Sequence, residues 1–170
     1  MDTINDNKVD SHKKREYSEY EKVCGSITDP ALLILRIHLY VEYLLERLVL
    51  CKLPRGDRLL ESGNLSFHQK LHLVASFDYL DDSQISVMRE LNRVRNSCAH
   101  ELHKEITIAD VDKIGRPFGK EYTRIRKERY GNVFATLSGV LASLCGGLAA
   151  CTHLLEEKQL GEQKTKDREK

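Results

Sequence analysis

Residues 30–50 read PALLILRIHLYVEYLLERLVL, and this stretch decides the fold class of the chain. Large apolar residues recur in it every three or four positions, which is the spacing of one face of an α-helix. The stripe consists of Leu33, Ile37, Val41, Leu44 and Leu48. Asp29 stands before it as an N-cap, and Pro30 fits the first helical position, where its missing N–H costs nothing. The sequence therefore predicts a long amphipathic helix that ends before Leu53.

The same helical spacing extends along most of the chain, and no segment shows the sustained alternation of a β-strand. Helices are predicted over residues 16–24, from Ser66 to Tyr79, from Asp81 to His100, after Thr107, over 120–130 and over 131–158, with a loop at 54–65. We therefore expect an all-α fold, a four- to five-helix up-and-down bundle over residues 16–158. A disordered arm is expected at residues 1–15 and a charged flexible tail at 159–170.

The composition excludes several classes of protein. The chain has 170 residues, which suits one domain, and its net charge of +1 gives no overall signal for nucleic acid. Its five cysteines are odd in number and irregularly spaced, which indicates free thiols in a reducing compartment rather than a disulfide framework. Residues 1–20 contain no apolar core of a secretory signal. We expect a cytoplasmic protein.

Residues 131–155 contain no Asp, Glu, Lys or Arg, and a stretch of that length could span a bilayer. However, its large apolar residues recur at steps of three or four among Gly, Ala, Ser and Thr, which is typical of a packing stripe. They are Val133, Leu137, Val140, Leu144, Leu148 and Leu155. A buried helix in a soluble bundle is the preferred interpretation, with a membrane span as the alternative.

The segment Arg95-Asn96-Ser97-Cys98-Ala99-His100 is the best candidate for chemistry. Histidine can move protons near neutral pH, arginine can hold a phosphate, and asparagine can orient either group. Five residues turn a helix by about 500°, so Arg95 and His100 point roughly 140° apart on one straight helix. They can converge if the helix ends near His100, or two copies can pool them across a two-fold axis. Alternatively, Arg95 pairs with a carboxylate of the first long helix, such as Glu42, and His100 only caps the C-terminus of its own helix.

The run from Leu91 to His100, with its R-N-x-x-A-H pattern, resembles the signature of the HEPN superfamily. The helix that carries Glu42 and Glu46 is similar to that family's opening helix. The stretch from Phe67 to Asp81 resembles the corresponding segment in relatives of the mannitol-operon repressor. The resemblance covers roughly residues 28–155, although only the motif is specific.

This resemblance implies a helical bundle of HEPN type that forms a two-fold homodimer. It further implies a metal-independent endoribonuclease, a toxin or phage-defence effector, with RNA as substrate and an antitoxin or regulatory protein as a further partner. By the same resemblance, Arg95, Asn96 and His100 are the catalytic positions, with Glu42 as a candidate helper. Leu102 departs from the tyrosine that nucleotidyltransferase-paired toxins often carry there. Other relatives are non-catalytic regulators or binding modules.

A basic stretch with interleaved tyrosines is a candidate RNA-binding surface. It contains Lys120, Arg124, Arg126, Lys127 and Arg129, together with Tyr122 and Tyr130. Glu121 and Glu128 dilute its charge, so a solvated helix face is the alternative.

Three further features have plainer interpretations. His68 and His72 lie four residues apart and could bind a metal, but no third ligand has suitable spacing, so we expect no metal and no cofactor. His103 could assist the motif or simply be exposed. Cys98 is expected to be a packing residue rather than a nucleophile.

Overall fold

The protein, described from a computed structural model, is all-helical over residues 18–101 and 103–168, the ranges that the structure describes. These ranges contain eight α-helices and no strand. The helices are α1 (18–24), α2 (Pro30–Lys52), α3 (Gly56–Ser62), α4 (Phe67–Ala75), α5 (Asp82–His100), α6 (Ile108–Gly115), α7 (Lys120–Glu128) and α8 (Val133–Arg168). One 3₁₀ turn, Arg116–Phe118, lies between α6 and α7. The all-α prediction is confirmed.

Polar side chains fix the helix starts that the sequence predicts. The Asp29 carboxylate accepts a hydrogen bond from the Leu32 N–H at 2.6 Å, and Pro30 occupies the first turn of α2. Ser66 caps α4, and Thr107 caps α6. Each cap satisfies a backbone N–H that has no partner inside the helix. These three predicted starts are confirmed.

The core forms around α2, which contacts α8 as well as α4 and α5. The predicted stripe of α2 is buried throughout, and on α8 the side chains of Leu137, Leu144 and Leu148 are fully buried. The Arg47 guanidinium donates to both carboxylate oxygens of Glu156, at 2.9 and 2.7 Å, and thereby joins α2 to α8. Burial of these apolar surfaces is the main stabilising contribution to the bundle.

The membrane alternative concerns α8. Among the described residues, one helical span, Val133–Gly161, is long and apolar enough to cross a bilayer by length and composition. Its packing stripe lies against the rest of the bundle, and the buried Thr152 hydroxyl donates to the Leu148 carbonyl at 2.9 Å. In this fold α8 is therefore a core helix.

The structure differs from the sequence-based prediction in its short elements. Residues 54–65, predicted as a loop, contain α3, because Leu59 and Leu60 pack partly buried against the core. Gly56 allows this close approach, since a Cβ there would lie 2.8 Å from the Val49 carbonyl oxygen. Short helices also raise the number above the four or five expected.

Two helix ends also differ from their predicted positions. Helix α4 ends at Ala75 and does not reach Tyr79. At this helix end the Ser76 hydroxyl donates to the Leu73 carbonyl. Helix α8 continues over residues 159–168. The predicted arm at residues 1–15 lies outside the described residues, and the domain limits stay predictions.

Candidate functional site

The motif occupies the last turns of α5, and the helix ends at its histidine. His100 is the final helical residue, and Glu101 leaves the helix with φ −113° and ψ 105° while its N–H still bonds the Ser97 carbonyl at 2.9 Å. The Lys104 ammonium lies 3.3 Å from the Asp110 carboxylate and holds the following segment against α6. Because His100 is still helical, Arg95 and His100 remain roughly 140° apart in direction around α5, and one chain does not bring the two side chains together.

Arg95 is half-buried, and its Nη1 donates to the Asn96 Oδ1 at 3.1 Å. Within residues 18–101 and 103–168 its guanidinium makes no ion pair. The alternative that Arg95 pairs with Glu42 is therefore wrong. Because a permanently charged group without a counter-ion attracts anions, Arg95 is available for a phosphate.

Glu42 belongs instead to a cluster centred on Lys70 of α4. The Lys70 ammonium donates to Glu42 at 2.8 Å and to Glu46 at 2.5 Å. Burial opposes the charge on this amine, but the two carboxylates outweigh it and raise the pKa of Lys70. The candidate helper Glu42 is thus engaged in joining α2 to α4.

His38, which was not singled out from the sequence, lies beneath the motif. It is only 2% exposed, its Nε2 lies 3.0 Å from the Asn92 Oδ1, and its ring packs 4.2 Å from that of Phe67. Burial lowers the pKa of His38, and the nearby charge of Arg95 lowers it further, against opposing effects of Asn92 and Glu42. The ring is thus a neutral link that seats α5 on α2. Its position next to the core residue Ile37 is the one sequence signal for it.

His100 and His103 are both exposed, at the end of α5 and just beyond it. Arg89, Arg93, Asn96 and His100 follow one another at steps of four, three and four, so they share one side of α5. We call these four residues the α5 basic face. Arg89 and Arg93, with Asn92 and His68, line an open depression of about 100 Å³. Neither arginine was singled out from the sequence, although the spacing was visible.

The basic stretch on α7 is only partly available for binding. Arg124 donates to Glu121 and Glu128, and Arg126 donates to Asp112. The side chains that make no ion pair with the described residues are exposed: Lys120, Lys127 and Arg129. Of the five basic residues predicted to bind RNA, two are thus engaged in ion pairs, and three make none with the described residues.

The two tyrosines of this stretch differ in the same way. Tyr122 is buried, and its hydroxyl donates to the Asp112 carboxylate, so burial and that carboxylate raise the pKa of Tyr122 to about 12. Tyr130 is 96% exposed, with its backbone at φ 51° in the turn before α8. Only Tyr130 offers a ring on which a base could stack.

The remaining candidates stay apart from the motif chemistry. The rings of His68 and His72 lie 4.3 Å apart, and in the described ranges no three His, Cys, Asp or Glu side chains are grouped to hold a metal ion. The five cysteines are free thiols. Burial raises the pKa of Cys98, which disfavours the thiolate that a nucleophile requires.

The residues of the site thus form two layers. Arg95, Asn96 and His100 end α5 near the surface, and His38, Asn92 and Lys70 hold that helix and its neighbours from below. No protein-family model, curated protein or solved structure matches the chain.

Proposed function

We propose that the chain is a metal-independent endoribonuclease that works with Arg95 and His100. The observation that carries this proposal is the end of α5: His100 is its exposed last residue, and Arg95 keeps a guanidinium without an ion pair among the described residues. The resemblance of residues 91–100 to the HEPN signature supplies the reaction.

In this mechanism the RNA provides its own nucleophile, so no metal-bound water is needed. The ribose 2′-oxygen bonds to the adjacent phosphorus while the bond from phosphorus to the 5′-oxygen breaks. His100 carries one of the two proton transfers, from the 2′-hydroxyl or to the leaving 5′-oxygen, and His103 or solvent water carries the other. Because Arg95 and His100 point to different sides of α5, the Arg95 of a second copy, oriented by its own Asn96, stabilises the charge that develops on the phosphate oxygens. The products carry a 2′,3′-cyclic phosphate and a 5′-hydroxyl.

The α5 basic face leads the RNA backbone to this point. Arg89 makes no ion pair in the part of the chain that the structure describes, and Arg93 has one with Glu90. Both lie on the side of α5 that ends at His100. Phosphates bound along this face would place a scissile bond at the helix end.

The biological setting follows from the same resemblance. A ribonuclease of this size in the cytoplasm would act as a toxin or a phage-defence effector, restrained by an antitoxin or regulatory protein. His103 stays a candidate second proton carrier.

The test is RNA cleavage in EDTA by wild type, by His100→Ala and by His103→Ala as an exposed histidine control. We expect His100→Ala to lose roughly 10²–10⁴-fold in rate, as is usual when a general acid or base is removed. Equal rates for wild type and His100→Ala, or no cleavage by either, would contradict the proposal.

A second candidate, a binding module without catalysis, is favoured by one observation. Lys127 near the end of α7, and Arg129 and Tyr130 just beyond it, are exposed and lie outside the helix that carries the motif. If the chain is such a module, the His100→Ala variant should still bind RNA or a protein partner. Combined replacement of Lys127, Arg129 and Tyr130 by alanine should abolish this binding. A gel shift and a pull-down distinguish it from the ribonuclease.

A further inference from the structure

Helix α2 carries a second stripe, on the side away from the core. Four large apolar side chains are exposed along it: Leu32 at 44%, Leu39 at 59%, Tyr43 at 52% and Leu50 at 44%. They follow one another at steps of seven, four and seven, so they lie on one side of the helix. Arg36 and Glu46 fall on the same side. We call these six residues the α2 stripe.

The α2 stripe is arranged symmetrically about Val41. Leu32 and Leu50 stand equally far from that residue, as do Arg36 and Glu46, and Leu39 and Tyr43. Consider two antiparallel copies related by a two-fold axis at the level of Val41. In this arrangement apolar side chains would face apolar side chains, and each charged side chain would face one of opposite charge. Leu32 meets the partner's Leu50, Leu39 meets the partner's Tyr43, and Arg36 meets the partner's Glu46.

We propose that the α2 stripe is the interface of a homodimer in which two α2 helices pack antiparallel. The charges support a second copy as the occupant. Arg36 is exposed and makes no ion pair within residues 18–101 and 103–168, while Glu46 uses Oε1 for Lys70 and keeps Oε2 available. An unrelated partner would not require the mirrored spacing. With 23 residues, α2 provides a contact about 35 Å long.

Neighbouring side chains restrict the conformation of Tyr43 before any association. Its ring stacks at 6.3 Å on that of Tyr40, and the Arg47 guanidinium lies 5.5 Å from the Tyr43 ring centroid. Because Glu156 fixes Arg47 in turn, the aromatic side chain loses little freedom on association. A rigid, exposed aromatic residue beside the axis is typical of an interface anchor.

The symmetry also determines where the two motifs lie. His38 and Glu42 are on the flank of α2 that faces α4 and α5, and Arg47 is on the flank that faces α8. The two-fold axis that exchanges two antiparallel helices is perpendicular to the plane that contains both helices. Rotation about it leaves equivalent flanks of the two helices on the same side of that plane. Both α5 helices would thus lie on one side of the pair. The interface itself does not depend on the ribonuclease function.

The first test is the mass of the full chain in solution by sedimentation equilibrium. The monomer is 19.5 kDa, and we expect wild type to have twice that mass. Leu39→Glu should sediment as a monomer with an unchanged helical circular dichroism spectrum. Leu160→Glu is the matched control, since Leu160 is 57% exposed on α8, and it should remain a dimer. A monomeric wild type, or a Leu39→Glu dimer, would overturn the proposal.

Two further experiments test the register. The double variant L32C/L50C should form an interchain disulfide, whereas neither single variant should, because equivalent positions would be about 27 Å apart. Arg36→Glu should weaken the dimer at least tenfold by setting two carboxylates opposite each other. Adding Glu46→Gln, which removes that repulsion while Glu42 still binds Lys70, should restore most of the affinity. Cross-linking by the single variants alone, or no rescue by Glu46→Gln, would contradict the antiparallel arrangement.

Discussion

At the scale of single residues, two asparagines determine how the motif sits on the bundle. Asn92 bonds the buried His38 at 3.0 Å, and Asn96 accepts from Arg95 at 3.1 Å. The first contact joins residues 54 positions apart and seats α5 on α2, while the second orients the guanidinium. The first hydrogen bond is costly to remove, because the buried His38 ring would be left without this partner and would keep its desolvation penalty.

The motif and its candidate residues could be predicted from sequence because they are contiguous on one helix. The partners of that helix could not, because they come from distant positions. Nothing local to Glu42 indicates that Lys70 binds it rather than Arg95, and nothing local to His38 indicates Asn92. Such choices depend on the packing of α4 and α5 against α2.

The neutral His38 gives a pH dependence of stability that can be measured. Burial lowers its folded pKa below the ordinary value of 6.5, so near that pH the unfolded chain takes up a proton that the folded chain does not. Stability should therefore fall as pH drops from about 7.5 to about 5, where histidines titrate. His38→Gln should show a shallower fall.

Urea unfolding of both proteins across this range checks the prediction. The other histidines titrate in both proteins, so the difference between the profiles isolates His38. Parallel profiles would show that His38 takes up its proton equally in the folded and unfolded states.

At the scale of helices, those whose caps and apolar spacing lie within their own sequence could be predicted. Caps and apolar spacing identify α2, α5 and α6, since each signal lies within the helix itself. Helix α3 was not predicted because its 7 residues span too few turns to show a helical spacing of apolar residues, and because its stability depends on contact with the core. The packing of α7 on α8 was equally invisible, because it depends on the close approach of Gly139 to Ile125.

Two glycines of α8 should respond oppositely to alanine. A Cβ at Gly139 would lie 2.8 Å from Ile125 Cγ2, whereas one at Gly146 would have no neighbour within 4 Å. Gly146→Ala should stabilise the protein by roughly 0.5–1 kcal/mol through helix propensity. Gly139→Ala should be less stable than Gly146→Ala by roughly 1–3 kcal/mol, because α7 must move off α8.

Chemical denaturation of both variants beside wild type measures this difference in the free energy of unfolding. Equal stabilisation by the two substitutions would mean that α7 is not packed tightly on α8 at Gly139.

At the scale of the whole molecule, the surfaces rather than the core distinguish this chain. The all-α class was predictable from apolar spacing, but which cations remain unpaired was not, because Arg124 and Arg126 are engaged by carboxylates nearby in the fold. Within the described residues, the α5 basic face, the exposed cations Lys120, Lys127 and Arg129, and the α2 stripe offer surfaces to partners.

If RNA follows the α5 basic face, Arg89→Ala should weaken RNA binding and make it less sensitive to salt. Removal of one side chain that binds a phosphate should reduce the salt slope by about 0.7–1 in log units. Arg124→Ala is the control, since its guanidinium is already engaged by two glutamates. Affinity measured over a salt series should separate the two. A larger effect of Arg124→Ala would place the RNA on α7 instead.

The central claim, that His100 moves protons in RNA cleavage, is tested most directly by mapping new RNA ends after incubation in EDTA. Wild type should create 5′-hydroxyl ends matched by 2′,3′-cyclic phosphates, and His100→Ala with the same fold and RNA affinity should create almost none. The same ends in equal number from both proteins, or no new ends from wild type, would contradict the account.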